Sequence, residues 1–214
     1  APLGIAVVGT YNGTTSYTNG TGDAVITLTG LVGSDLGKNG VTAAVNSPNV
    51  SANGTNFVGS ITSSAFTVGN YALYDTTSTV AKYNAAAGNT QNVVTLSKAP
   101  LGINLNATYN GSDSYTSTIK TNGLVGSDVT PGVASVTINS ANVASNTSNY
   151  IKTVTGASGV NDTNLLNNYY ISSSATGSAT TNNPGSNTTN TVTLSAAPLG
   201  IAVVGTYNGT TSYT

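Results

Sequence analysis

The phrase "GTYNGTTSYT" stands at residues 9–18 and again, unchanged, at residues 205–214, with a near copy, "ATYNGSDSYT", at residues 107–116. "APLGI" marks the same period, beginning at Ala1, Ala99 and Ala197, 98 residues apart both times. A chain that repeats itself at this spacing is expected to build one unit twice rather than one large core. The units are 1–98 (unit A) and 99–196 (unit B), with 197–214 expected to be the first strand and turn of a further A-type unit. "GLVGSD" at 30–35 and 123–128 is offset by 93, as are "SPNVSANGTNF" at 47–57 and "SANVASNTSNY" at 140–150. "NYAL" at 70–73 and "NYYI" at 168–171 are back at 98, so unit B loses five residues before Gly123 and regains five before Asn168. Residues 197–214 equal 1–18 at every position, whereas the two full units have diverged. This suits a longer array of alternating A and B units, or a filament whose subunits exchange terminal strands.

The local pattern is β. In "LGINLNATY" the residues Leu101, Ile103, Leu105, Ala107 and Tyr109 alternate with Asn104, Asn106 and Thr108, which predicts a half-buried strand. Val192 and Leu194, Val94 and Leu96, Ile26 and Leu28, and Val136 and Ile138 mark further strands. The expected core holds Leu3, Ile5, Val7, Leu96, Leu101, Ile103, Leu105 and Leu194, with Tyr11, Tyr71, Tyr109 and Tyr169 mostly buried. Asn-Gly pairs beginning at Asn12, Asn19, Asn39, Asn53, Asn110, Asn122 and Asn208 signal turns. No segment keeps a helical period. The fold class expected is all-β, as tandem β-sandwich (Ig-like or β-grasp-like) modules; a solenoid would repeat at roughly 20–30 residues. Leu96 to Pro100 runs from the last strand of A into the first of B without a Gly/Ser linker, so the modules should form a semi-rigid rod.

Composition narrows the chemistry. Charged residues make up 5% of the chain, against about 25% in an average domain. There is no His, Cys, Met or Trp, and the five cations are all Lys and the six anions all Asp. A net charge of −1 lacks the basic stripe that nucleic acid or an anionic membrane surface needs. No apolar run approaches the roughly 20 residues of a membrane-spanning helix, and any export signal is expected outside these residues. No catalytic set, cofactor site or metal site emerges, and the expectation is that the chain is not an enzyme. A Ser97–Lys98 nucleophile–base pair is disfavoured because neighbouring strand residues point to opposite faces. "NDTN" at 161–164 carries one carboxylate, too little charge for tight calcium binding, and reads as an Asx-rich loop. A Lys–Asn crosslink would need a buried Lys beside an acid, and the chain has no Glu. The pairs Tyr11/Tyr17 and Tyr109/Tyr115 suit either a sugar-binding shelf or core tyrosines, and repetition in every unit favours the core. Asn-x-Ser/Thr triplets are frequent in so Asn- and Thr-rich a chain.

"YNGTT", "GLVGSD" and a late "GNY" resemble the YDG-type tandem repeats of bacterial filamentous-haemagglutinin-like surface adhesins. In that family a Tyr-Asp-Gly-Thr-Thr motif opens each module and an Asn-Tyr ends a late strand. Tyr11, Gly13, Thr14, Thr15, Asn70 and Tyr71 match, and in unit B Tyr109, Gly111, Asn168 and Tyr169 match. Asn12 and Asn110 stand where the family has Asp, and Ser112 and Asp113 replace the two Thr. The resemblance implies a bacterial, extracellular or cell-surface structural protein: a tandem repeat of a fibre or adhesin stalk, able to self-assemble into filaments. The alternative it implies is a carbohydrate- or protein-binding adhesin module with a glycan or host-surface ligand. The partners expected first are neighbouring copies of the same repeat or chain.

The outward positions of the first strand differ between units. Unit A has Ala6 and Val8 where unit B has Asn104 and Asn106, and Ala202 and Val204 repeat the A pattern. An uncharged apolar stripe invites pairing or packing, so residues 5–9 and 201–205 are a candidate assembly contact that B lacks. The competing expectation is that another strand of the same unit covers Val8.

Overall fold

The computed structural model describes residues 1–73, 92–129, 132–155, 165–171, 190–207 and 209. The "NDTN" loop at 161–164 and the Asn-Gly pair beginning at Asn208 lie outside the described residues. The described chain is all-β, with short 3-10 turns and no α-helix.

In the first unit β1 (Pro2–Thr10), β2 (Ser16–Thr18), β3 (Ala24–Thr29), β4 (Val41–Val45), β5 (Val58–Ser63), β6 (Ala72–Leu73) and β7 (Asn92–Ser97) form two sheets. The second unit repeats them as β8 (Ala99–Thr108), β9 (Ser114–Thr118), β10 (Lys120–Asn122), β11 (Val133–Ile138), β12 (Ile151–Thr155), β13 (Tyr169–Ile171) and β14 (Asn190–Ser195). The first strand is the hub of each unit. β1 takes β3 antiparallel along residues 4–9, β7 parallel along residues 5–10, and β6 parallel at Pro2 and Leu3. β8 takes β10, β14 and β13 in the same senses. The other sheets are the antiparallel sets β2-β4-β5 and β9-β11-β12. Inward residues of both sheets meet in one apolar cluster per unit, Ile5, Val7, Val45 and Val58 among them in the first, Leu101, Leu105, Val136 and Ile151 in the second. All eight expected core aliphatics are buried. β7 passes into β8 through Lys98 alone.

The five-residue loss in unit B has a structural location. Seven residues separate Thr18 from Ile26, and two separate their counterparts Thr116 and Ile119. The register survives: Thr27 lies opposite Ala6 as Lys120 lies opposite Asn104, and Ile26 and Ile119 are both buried. The deletion therefore removes the loop between two sheets and shortens the strand it leads into, from six residues in β3 to three in β10, without shifting its register. The compensating gain before Asn168 falls in a stretch that includes residues 156–164, outside the described residues.

Asparagine side chains tie the sheets together. Asn92 of β7 accepts from the Val58 N–H of β5 at 2.9 Å and donates to the Val58 carbonyl at 3.1 Å. Asn190 does the same to Ile151, at 2.9 and 3.0 Å. Asn53 clamps Leu96, at 2.9 and 2.7 Å, and Asn146 clamps Leu194, at 2.9 Å both ways. Asn56 and Asn149 close their loops onto Ser47 and Ser140 in the same fashion. An amide side chain carries both a donor and an acceptor, so it can complete a strand's backbone pairing from the opposite sheet.

Three expectations need correction. Tyr109 is 43% exposed and Tyr71 only half-buried, whereas Tyr11 and Tyr169 are buried. Val8 is 59% exposed, so no described strand of its unit covers it. Nor does it offer an open edge, because β3 and β7 occupy both sides of β1 at this position; any contact of the Ala6–Val8 stripe is therefore through its face. Residues 197–207, Ala202 and Val204 included, are exposed and form no strand, although they repeat the sequence of β1. β1 owes its conformation to β3, β6 and β7, and residues 197–207 pair with no such set here.

Replacing Leu105 by Ala should cost about 2–5 kcal/mol in urea denaturation, because its whole side chain lies in the core. Asn190→Ala should cost about 2 kcal/mol, since it removes both of the hydrogen bonds that Asn190 makes to the Ile151 backbone. A loss near zero would show that the clamp is ornamental.

Candidate interface between the two repeat units

The "YNG" turn is built by its own Asn. Asn12 accepts from the Thr14 N–H at 3.0 Å and donates to the Ser16 carbonyl at 3.0 Å and to Asp23 at 2.9 Å. Asn110 accepts from Ser112 N–H at 2.8 Å and donates to the Ser114 carbonyl at 3.1 Å. An ionised carboxylate would keep the acceptor role but could not make those donations, so the Asn that departs from the resembled motif adds bonds the family's Asp would lack. Ser112 stands in for Thr14: each hydroxyl accepts from the N–H two residues on. Asp23 is held below the ordinary carboxylate range; burial opposes this, and hydrogen bonds from Thr21 and Asn12 outweigh it.

The turn at Asn12 delivers Tyr11 and Gly13 to the neighbouring unit. Tyr11 is 2% exposed and packs in the second unit's core cluster, edge-on to Tyr169 with ring centroids 5.2 Å apart. The Tyr11 and Tyr169 hydroxyls both donate to Oδ2 of Asp128, at 2.8 and 2.7 Å. Tyr169 Oη accepts in turn from the Val125 N–H at 3.0 Å. Gly13 (φ 73°) presses on the loop of Val125 and Gly126 (φ 62°). A Cβ on Gly13 would lie 2.6 Å from the Val125 carbonyl oxygen, and one on Gly126 would lie 2.8 Å from the Gly13 Cα. Asn168 adds a second arm, accepting from the Val50 N–H and donating to Asn49 Oδ1, each at 2.9 Å. Lys98 Nζ donates to the Leu166 carbonyl at 2.6 Å.

The expected motif residues thus divide. Tyr11, Gly13, Asn168 and Tyr169 meet at the junction; Asn12 holds the turn behind them. Tyr109, Asn110 and Gly111 lie at the far end of the second unit, and Asn70 and Tyr71 at the near end of the first. The Tyr pairs form no shelf, because Tyr11, Tyr17 and Tyr115 are all buried. Ser97 Oγ donates to the Gly9 carbonyl at 3.1 Å while Lys98 reaches Leu166, so the two side chains have different partners. Sequence reasoning passed over Asp128, Asn49 and Val50. The repeated "GLVGSD" was the signal for Asp128, and the repeated stretch at 47–57 contains Asn49 and Val50 but does not show that they meet the other unit.

Burial raises the Tyr169 hydroxyl far above the ordinary range, the Val125 N–H partly opposing and Asp128 adding to the rise. Burial also pushes Tyr17 up to about 12. Among the described residues, no helix is long and apolar enough to cross a membrane. Comparison with known proteins returned no matching family model, no matching curated protein and no matching solved structure.

Two measurements follow from this geometry. Because the folded-state values of Tyr17 and Tyr169 are raised, the stability they confer is complete below the ordinary tyrosine value of about 10. It is lost as pH rises through their folded values, about 12 for Tyr17. Melting followed by circular dichroism should stay level to about pH 9 and then fall, with a shallower fall in Tyr169→Phe. Gly126→Ala should also destabilise more than Gly33→Ala: both glycines have positive φ, but a Cβ at Gly33 meets nothing within 4 Å. Equal losses would assign the cost to backbone strain alone.

Proposed function

We propose that this chain is a structural repeat of a bacterial extracellular fibre or adhesin stalk, in which sandwich modules of alternating A and B type stack into a semi-rigid rod. The observation that carries the reading is the junction between units. It joins a buried tyrosine pair, a shared carboxylate and two abutting glycines across a connection one residue long. Such a joint fixes one module's direction relative to the next, which a stalk needs and a string of independent binding domains does not. The resemblance to surface-adhesin repeats and the sparse, hydroxyl- and amide-rich composition support the same reading, and the proposal assigns no catalytic role.

Small-angle scattering of the chain tests it. The expected particle is elongated with one preferred angle between units, and Asp128→Ala should loosen that angle. A freely hinged profile for the unaltered chain would remove the stalk reading. Selective, strong binding on a glycan array would replace it with the ligand-binding adhesin role.

A further inference from the structure

Apart from the Lys98 amine, whose place in the second unit is taken by Ala196, the groups that form the internal junction have counterparts at the chain's two ends. At the end of the first unit, Tyr71 Oη donates to Asp35 Oδ2 at 3.0 Å and accepts from the Val32 N–H at 3.2 Å. This is the arrangement of Tyr169, Asp128 and Val125 without the incoming tyrosine. Lys38 holds the other carboxylate oxygen, Oδ1, at 2.9 Å. Oδ2 therefore has the same acceptor capacity that Asp128 Oδ2 uses for two phenols. Gly33 (φ 59°) stands where Gly126 does, with open space where Gly13 would press. At the end of the second unit Tyr109 and Gly111 (φ 79°) repeat Tyr11 and Gly13, again with nothing against Gly111. Tyr109 is 43% exposed where Tyr11 is 2%. Asn142, the counterpart of Asn49, turns inward to accept from the Ala144 N–H at 3.0 Å.

From these matched halves we propose that the Asp35–Tyr71 end of unit A docks the Tyr109–Gly111 turn of unit B from a second copy of this chain. The Tyr109 hydroxyl donates to Asp35, its ring meets Tyr71, and Gly111 seats on Gly33. The occupant is identified by the chain itself: residues following Ser195 repeat those of β1, so the body that belongs beyond Tyr109 begins as an A-type unit. Ala197, Pro198 and Leu199 line a cavity of about 620 Å³ with Tyr109, Asn142 and Val143, and residues 197–207 are exposed and outside any strand, so no strand pairing has to break for a docking unit to take their place. The contact is heterologous, one end against the other, and open-ended association follows from it. The proposal rests on the fibre reading and adds the residues that would join one copy to the next.

Phe66 supplies the competing outcome. Its ring lies edge-on to Tyr71 at 5.5 Å, so unit A would be self-capped if that ring fills the incoming tyrosine's place.

Sedimentation of the whole chain over a concentration series tests the docking. The expected result is reversible association that passes beyond dimers. Tyr109→Ala and Asp35→Ala should each weaken it about tenfold or more. Both sites are at the surface, and an unchanged circular dichroism spectrum checks each fold. The two variants mixed should form a dimer that grows no further, because each keeps one working end. A chain that stays monomeric throughout would overturn the docking in favour of the Phe66 cap. Association indifferent to both variants would overturn it in favour of another surface, such as the exposed Val8–Val25 patch. Neither result touches the fibre reading, which the angle between units decides.

Discussion

An asparagine side chain carries the same donor and acceptor as a peptide group, and this fold depends on that equivalence. Two-sheet units of this size normally rely on apolar contact alone between their layers. Here Asn92 and Asn190 reach from a strand of one layer, and Asn53 and Asn146 from a loop, and each bonds both the N–H and the carbonyl of a strand residue of the other layer. Each clamp is short and two-pronged, so it sets position along the strand as well as distance between layers. A slip by two residues would keep the same face of a strand in a core of Val, Ile and Leu; a backbone pair already claimed by an amide opposes that slip as well.

The same chemistry is extended across the junction. Asn168 is to Val50 and Asn49 what the internal clamps are to their own strands, and the phenols of Tyr11 and Tyr169 converge on Asp128. A carboxylate shared by two buried phenols is a strong acceptor in a poorly solvated place. It explains how a chain with so few charges uses one of them. The glycine pair beneath it lets the backbones approach more closely than any side chain permits. Where that carboxylate has only one phenol, as at Asp35, the corresponding tyrosine remains half-buried.

The first strand links these levels. It is paired on both edges, buries Ile5 and Val7 beneath, and ends in the turn that presents Tyr11. Its copy at residues 197–207, lacking such partners, forms no strand. Identical sequence in two conformational states shows how little of this strand's structure is local.

The alternation of Leu101, Ile103 and Leu105 by itself determined a strand and its buried face, because a period of two leaves no other arrangement. The repeat pointed to two like units and the missing linker to a tight join between them, while the strand registers were not legible in the sequence. What only the tertiary structure decided is which copy of a motif is buried. Tyr11 and Tyr109 occupy the same place in the same turn, yet one lies inside and one at an end, because a neighbour covers the first. Likewise Asn53 reads in sequence as a turn residue and Asn146 as one of many Asn-x-Ser/Thr triplets, and both prove to be clamps. Their partners, Leu96 and Leu194, lie 43 and 48 residues away. A hydrogen-bonding amide looks the same in sequence whether it meets water, its own turn or a distant strand; the partner that the fold brings within 3 Å makes the difference.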